Sequence, residues 1–334
     1  MDFQKLVTRY KQFGGMRLAW EYFKLGTLWS IVKAVVRCGV KRQSFNGIYP
    51  EVLKRIEPFL VERYGTQIPQ ISQKIKANTD DTNRTDNAST GIATIWWCWL
   101  QGLDAAPPIV EACYNSLVHG EWFSVHGYEV KVIDNSNWRK YVELPGYIVE
   151  KWEKGRIPAA LFSDLLRLEL LIRYGGTWID STVLCTGFKF QDLSPKVLEA
   201  DLFLFQYTKP GSVPVSISNW FISACSHNEV LMLLQEMLYA YWRDYDCVLD
   251  YYIFHLFFSM ISKEYPEQIL AMPYGHSQNS LVLLHQWGEK FDQQKWDKLT
   301  NQVCFHKLAF RVSDDVKNNK ENYYNHILNE YGRI

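Results

Sequence analysis

No uncharged apolar run in this 334-residue chain approaches the roughly 18 residues that a bilayer-spanning helix needs, and its start shows no signal-peptide pattern. Those absences argue against a membrane-spanning helix and lead us to expect a cytoplasmic protein. The seven cysteines are odd in number, scattered and never spaced C-x-x-C, which suits free thiols and argues against a disulfide framework or a zinc site. Net charge is missing too. Thirty-six Lys and Arg balance 36 Asp and Glu, so no whole-molecule field draws in nucleic acid, and no nucleic-acid partner is expected. Sequons at Asn83 and Asn87 would matter only in a secretory compartment, which no other feature supports.

What the chain does hold is apolar and aromatic. Hydrophobic residues make up 47% of it, enough for one large domain or for a catalytic domain with a smaller appendage. Aromatics reach 15%, a share that suits stacking on bases or sugar faces, although any single ring is first a core filler. Basic residues crowd the start: Lys5, Arg9, Lys11, Arg17, Lys24, Lys33, Arg37, Lys41 and Arg42 stand against Asp2 and Glu21, interleaved with Phe13, Leu18, Trp20, Phe23 and Trp29. Residues 1–42 therefore fit a helix lying on an anionic membrane surface, or else a solvated helical hairpin packed on the main domain.

The polar stretch 77–91 is expected to be a surface loop between a helical N-terminal segment, 1–76, and the main fold. From 92 the pattern predicts a strand to Leu100, a helix from Pro107 to His119 and a strand from Tyr128 to Ile133, the start of an α/β sheet of mononucleotide-binding type. A long helix is predicted from Pro158 to Tyr174, stopped by Gly175 and Gly176, with the next strand over Thr177 to Cys185. Further strands are expected over Asp201 to Tyr207, Ile217 to Ala224 and Val303 to Phe305, and helices over Asn228 to Arg243 and Cys247 to Lys263. We bound the main domain at 92–310 and take 311–334 as a helical tail.

Chemistry concentrates in 158–186. Leu161, Leu165, Leu168 and Ile172 form a buried stripe, and Asp164 and Arg167, three apart, share a face beside it. An arbitrary D-x-x-R is a surface ion pair. Here the double glycine turns the chain into an apolar strand that presents Asp180, so two acidic positions converge from adjacent elements. Ribose hydroxyls take a carboxylate acceptor, a pyrophosphate takes cations, and ligands of open α/β sheets sit at the carboxyl ends of strands.

The segment SDLLRLELLIRYGGTWIDSTVLCT resembles the S-D-x-x-R-x-x-x-L-x-x-x-G-G-x-[YW]-x-D-x-D signature of GT-A glycosyltransferases with a DxD motif. The chain is most similar to the bacterial capsular polysaccharide synthesis protein family, through I-W-W-x-W-x-Q-G, A-P-x-I-V, L-P-x-Y-I-x-E-K, G-G-x-W-I-D, N-W-F, D-Y-x-x-F-H and a late H-K-L in that order. The resemblance implies a GT-A (Rossmann-like) α/β fold with a mixed central sheet plus helical N- and C-terminal segments. It also implies a retaining transfer of a hexose from a nucleoside diphosphate sugar, UDP-linked, to a lipid-linked or oligosaccharide acceptor at the inner face of the plasma membrane.

By the same resemblance Ser163, Asp164 and Arg167 would contact base and ribose, Asp180 would face ribose and diphosphate, and Trp96 or Trp97 would stack on the nucleobase. Trp178 and Thr182 belong to the same motif. Asn219 is a candidate at the far rim, and Asp250 and His255 are candidates for catalysis or acceptor binding, with a helix cap and a core histidine as their plainer readings.

One position departs from the motif: Thr182 stands where a second carboxylate is expected, and a hydroxyl is a poor ligand for a hard divalent cation. Three readings stay open. A Mn²⁺ or Mg²⁺ ion is held by Asp180 with help from His306; Lys307 or an arginine takes the metal's place; or the chain is a non-catalytic nucleotide- or carbohydrate-binding relative. A hydrolase using Asp164 and Asp180 is disfavoured on the argument that Arg167 depresses the Asp164 pKa.

Overall fold

A computed structural model describes residues 3–38, 42–81, 93–120, 127–187 and 197–332. The chain opens with helices α1 (Phe3–Gln12), α2 (Met16–Lys24), α3 (Leu28–Cys38), α4 (Arg42–Tyr64) and α5 (Ile68–Asp81). Most of the expected polar loop, 82–91, lies outside the described residues, and α5 runs on to Asp81. Then come β1 (Ala93–Cys98), α6 (Pro108–Val118), β2 (Tyr128–Ile133), α7 (Gly146–Glu153), α8 (Ala159–Tyr174), β3 (Gly176–Asp180) and β4 (Val183–Cys185). β5 (Leu202–Gln206), β6 (Ile217–Ala224), α9 (Glu229–Asp244) and α10 (Ile253–Ile261) follow. Short helices α11 (Pro266–Ala271), α12 (Val282–Gln286) and α13 (Gln293–Gln302) lead to β7 (Phe305–Lys307), α14 (Asp314–Asn318) and α15 (Tyr323–Tyr331).

Five strands form a mixed sheet in the order β2-β1-β3-β6-β5, with β1 parallel to β2 and β3, and β6 antiparallel to both of its neighbours. The chain passes from β1 to β2 on one side and reaches β3 on the other. Such a switch of direction marks the carboxyl ends of β1 and β3, where Cys98 lies beside Asp180, as the place where ligands of open α/β sheets sit.

Alternation along the strands divides the core in two. Trp96, Trp178, Leu204 and Ile222 face α8, α9 and α10, joined by Val52, Ile56, Leu60 and Ile75 of the N-terminal helices. Ile95, Trp97, Ile179, Phe203 and Phe221 face the other way, against α6, β4, β7 and α15. The sequence expectation for the two tryptophans is overturned here. Trp96 and Trp97 are 1% and 0% exposed, so neither has a ring face for a nucleobase: Trp96 donates through Nε1 to the Gly175 carbonyl (2.9 Å), and Trp97 packs on Tyr114.

Three expected elements differ from those observed, and one of them, the strand expected over Val303 to Phe305, lies at Phe305–Lys307, where it pairs with β4. The strand over Thr177 to Cys185 breaks at Ser181 and Thr182, because β4 leaves the large sheet and pairs antiparallel with β7. The helix expected from Cys247 begins at Ile253, because 247–249 is held by other elements: Val248 N–H donates to the Phe13 carbonyl (2.8 Å), and the Tyr241 hydroxyl of α9 bridges the Cys247 carbonyl and the Leu249 N–H.

Gly175 and Gly176 have φ of +69° and +94°. A Cβ on Gly176 would lie 2.4 Å from the Thr94 carbonyl oxygen of β1, which is backbone and cannot yield. Gly176→Ala is therefore expected to lower stability by about 3 kcal/mol, from strain together with separation of β1 and β3. Urea denaturation measures it, and a loss under about 0.5 kcal/mol, the range of ordinary surface changes, would contradict the account.

Candidate functional site

α8 brings Asp164 and Arg167 to the carboxyl end of β3. The Arg167 side chain is 4% exposed and meets acceptors on three elements. Its Nη2 lies 3.1 Å from Asp164 Oδ1 and 3.4 Å from Asp180 Oδ1; Nε donates to the Ser163 carbonyl (3.3 Å) and Nη2 to Ser163 Oγ (3.2 Å); Nη1 donates to the Asn219 carbonyl of β6. The guanidinium also sits over the Trp178 ring, 4.9 Å from its centroid. Asn219 Nδ2 donates to Asp164 Oδ1 (2.9 Å), and Trp178 Nε1 donates to Asp180 Oδ1 (2.9 Å).

Lys307 reaches the cluster from β7. Its Nζ donates to Asp180 Oδ2 (2.8 Å) and to Thr182 Oγ1 (2.6 Å). The β4–β7 register, Val183 opposite Lys307, and a hydrogen bond from Leu308 N–H to the Thr182 carbonyl (2.8 Å) hold the lysine there.

The two carboxyl groups are tuned apart. Burial pushes Asp164 up to about 7, with Arg167 pulling it down and Asp180 adding to the rise. The expectation that Arg167 would depress it fails because desolvation outweighs the ion pair. Asp180 is buried as well, but the charges of Lys307 and Arg167 and hydrogen bonds from Lys307 and Trp178 outweigh that burial and hold it below its usual range.

Of the residues singled out in the sequence, Ser163, Asp164, Arg167, Trp178, Asp180, Thr182, Asn219 and Lys307 converge. Trp178 is 1% exposed and lies beneath the cluster as its floor. Asp250 serves as a local brace. It is buried and accepts from the Tyr252 N–H (2.7 Å) and the Tyr49 hydroxyl of α4 (3.3 Å), and burial raises it to about 6. His255 is buried, with its Nδ1 lacking a partner among the described residues, and is held neutral by burial and the charge of Arg167, at about 3. Tyr251, four residues before His255, is 41% exposed, and burial followed by the charges of Asp164 and Asp180 raises its hydroxyl. Phe13, stacked on it, had no sequence signal.

A divalent metal does not fit the donors present. Thr182 supplies a neutral hydroxyl, both Asp180 oxygens already accept from cations or an indole N–H, and no group of three His, Cys, Asp or Glu converges among the described residues. His306, expected to help, is 0% exposed and points to the opposite face of β7 from Lys307, with Nε2 3.2 Å from Thr186 Oγ1.

A charged cluster at the carboxyl ends of parallel strands in a mixed α/β sheet is the setting of a polar-ligand site. Over residues 40–327 the chain matches the family described as capsular polysaccharide synthesis protein, and it belongs to that family. Its role therefore lies in capsular polysaccharide synthesis. No curated protein matches the chain significantly. Among the described residues no helix is long and apolar enough to cross a membrane.

The raised Asp164 has a measurable consequence. With a folded pKa of about 7 against about 3.9 unfolded, its contribution to stability is complete below pH ~4 and is lost as pH rises through about 7. Asp164→Asn removes that titration. In urea melts the wild type should lose ground to Asp164→Asn between about pH 4 and pH 7; a constant difference across that window would mean that Asp164 is ionised throughout.

Proposed function

We propose that the protein is a GT-A glycosyltransferase that moves a hexose from a nucleoside diphosphate sugar, UDP-linked, to a hydroxyl of a lipid-linked or oligosaccharide acceptor during capsule synthesis. The observation that carries this reading is the convergence of Asp164, Arg167, Asp180 and Lys307 at the carboxyl ends of β1 and β3. In the reaction the acceptor oxygen bonds to the anomeric carbon, the bond from that carbon to the β-phosphate oxygen breaks, and the acceptor hydroxyl's proton passes to the departing diphosphate. Charge builds on the departing diphosphate, and preorganised cations in a partly buried site lower the barrier. Lys307 is 21% exposed in its side chain and reaches the diphosphate; Arg167 acts from beneath, by fixing Asp180 and adding positive potential. Asp164, Asp180 and Asn219 offer acceptors and a donor to ribose and sugar hydroxyls.

The acceptor half of the reading rests on α2 and α3. Met16, Trp20 and Phe23 line one face of α2 at i, i+4 and i+7, exposed by 80%, 59% and 56%, and Trp29 of α3 is 67% exposed. Lys11, Arg17, Lys24 and Lys33, all exposed, are interleaved with them along the chain. An apolar aromatic face with bases interleaved suits the headgroup layer of an anionic bilayer. The opposite side of this hairpin is structural: Leu18 is buried, Phe13 stacks on Tyr251, and the Tyr22 hydroxyl donates to the Leu249 carbonyl (2.7 Å). Membrane seating would thus hold the acceptor beside the 247–252 loop.

Two outcomes follow. In thermal melts UDP at a hundredfold excess over its Kd should stabilise the wild type by about 2.7 kcal/mol, with release of UDP from UDP-hexose when acceptor is supplied. Asp180→Asn should lose the shift while still melting cooperatively. No shift with UDP, GDP or CMP, with or without Mn²⁺, would overturn the reading, and binding without turnover would leave a non-catalytic relative. Separately, Trp20→Ser with Trp29→Ser should weaken co-sedimentation with phosphatidylglycerol vesicles roughly tenfold and leave UDP binding unchanged. Unchanged sedimentation would remove the membrane from the proposal.

A further inference from the structure

The Asp180-Ser181-Thr182 turn directs two oxygens at one point. Asp180 Oδ2 and Thr182 Oγ1, from the first and third positions of the turn, both lie within 2.8 Å of Lys307 Nζ. A divalent ion held by a turn with carboxylates at those two positions would have to bind where the ammonium now sits. We infer that Lys307 is a built-in replacement for that ion, so that this chain binds the diphosphate of its donor without a metal. The inference rests on the glycosyltransferase reading above and adds to it the residue that takes over the neutralising charge.

Four features support it. Thr182 matches the lysine: a hydroxyl accepts from an ammonium at no cost in charge, whereas a second carboxylate would invite a doubly charged ion. Both Asp180 oxygens already face positive or N–H groups, since the other oxygen accepts from Trp178 Nε1 (2.9 Å) and lies 3.4 Å from Arg167 Nη2. A further cation on that carboxylate would lie against two positive side chains. The β4–β7 pair exists to deliver the lysine: Val183 opposite Lys307, Leu184 opposite His306 and Cys185 opposite Phe305 set its register, while His306 is turned into the core and offers the site nothing. Finally, the Lys307 and Asp180 side chains are 21% and 24% exposed, so the ammonium borders solvent. Of its three N–H donors two are spent on Asp180 and Thr182, and the third remains for a phosphate oxygen.

The test is titration calorimetry of UDP and of uridine against the full chain, in EDTA and in Mn²⁺. Wild type should bind UDP equally well, within about twofold, in both. Lys307→Met should weaken UDP at least tenfold and leave uridine unchanged, because the defect lies at the diphosphate; Lys307→Arg should recover most of the loss. Thr182→Asp combined with Lys307→Ala should bind UDP poorly in EDTA and regain affinity in Mn²⁺. UDP binding by the wild type that vanishes in EDTA and returns with Mn²⁺ would overturn the inference and leave the glycosyltransferase reading intact. Absence of UDP binding in both buffers would overturn the two together. The wild-type comparison decides the point even if a Lys307 variant fails to fold.

Discussion

The guanidinium of Arg167 has been taken almost wholly out of water, and much of the molecule's centre is arranged to make that tolerable. A buried charge costs several kcal/mol unless its donors find acceptors and its charge finds a partner. Arg167 finds them on three elements: Ser163 and Asp164 on its own helix, Asp180 at the end of β3, and the Asn219 carbonyl on β6. Each acceptor is in place only if the helix, the turn after it and two antiparallel strands are in register. The ion cluster is thus a consequence of correct assembly and a check on it, since a one-residue slip of β6 would turn Asn219 away and leave donors unmet.

The same requirement explains the double glycine. α8 must reverse into β3 within two residues so that Asp180 reaches the side of Arg167, and that reversal passes close to β1, where the Thr94 carbonyl leaves no room for a side chain. Trp96, one strand over, closes the turn by donating to the Gly175 carbonyl. Lys307 arrives by a separate route, on a two-stranded sheet whose other member is the continuation of β3 beyond Thr182. Asp180 is therefore gripped from both sides, by a cation placed through local sequence and by one placed through a contact spanning 127 residues.

This division decides what could be seen in the sequence. The helix over 159–174, its glycine stop and the strand to Asp180 are visible because periodicity and local turn chemistry specify them. The pairing of Asp164 with Arg167 follows from helical spacing alone. Which face of β1 is wet cannot be read from WWCW, because a strand buried on both sides shows apolar residues at every position. The stacking role for Trp96 or Trp97 comes only from the family resemblance, and the two rings belong to two cores, one on each side of the sheet. The choice between His306 and Lys307 turns on a one-residue register that only the β4 partnership supplies. The late start of α10 and the role of Asp250 depend on Phe13 and Tyr49, both far off in the sequence, and on the Tyr241 hydroxyl of the preceding helix. The direction of the Asp164 shift depended on burial, which an adjacent arginine in the sequence concealed.

Charge bookkeeping then gives the site its character. Arg167 and Lys307 contribute two positive charges; Asp180, held ionised by both, returns one negative charge; and Asp164, with a pKa of about 7, carries only part of another near neutrality. A surplus of positive charge remains at the mouth, within a protein whose total is zero. Such a surplus is costly in the empty molecule and is relieved when an anion arrives. Proton and anion are linked through it, because an incoming negative charge favours protonated Asp164, while loss of that proton strengthens the hold on Arg167. Under the proposed function, such a balance suits a ligand that is anionic at one end and rich in hydroxyls at the other, the cations being set to meet the first and the carboxyl groups the second.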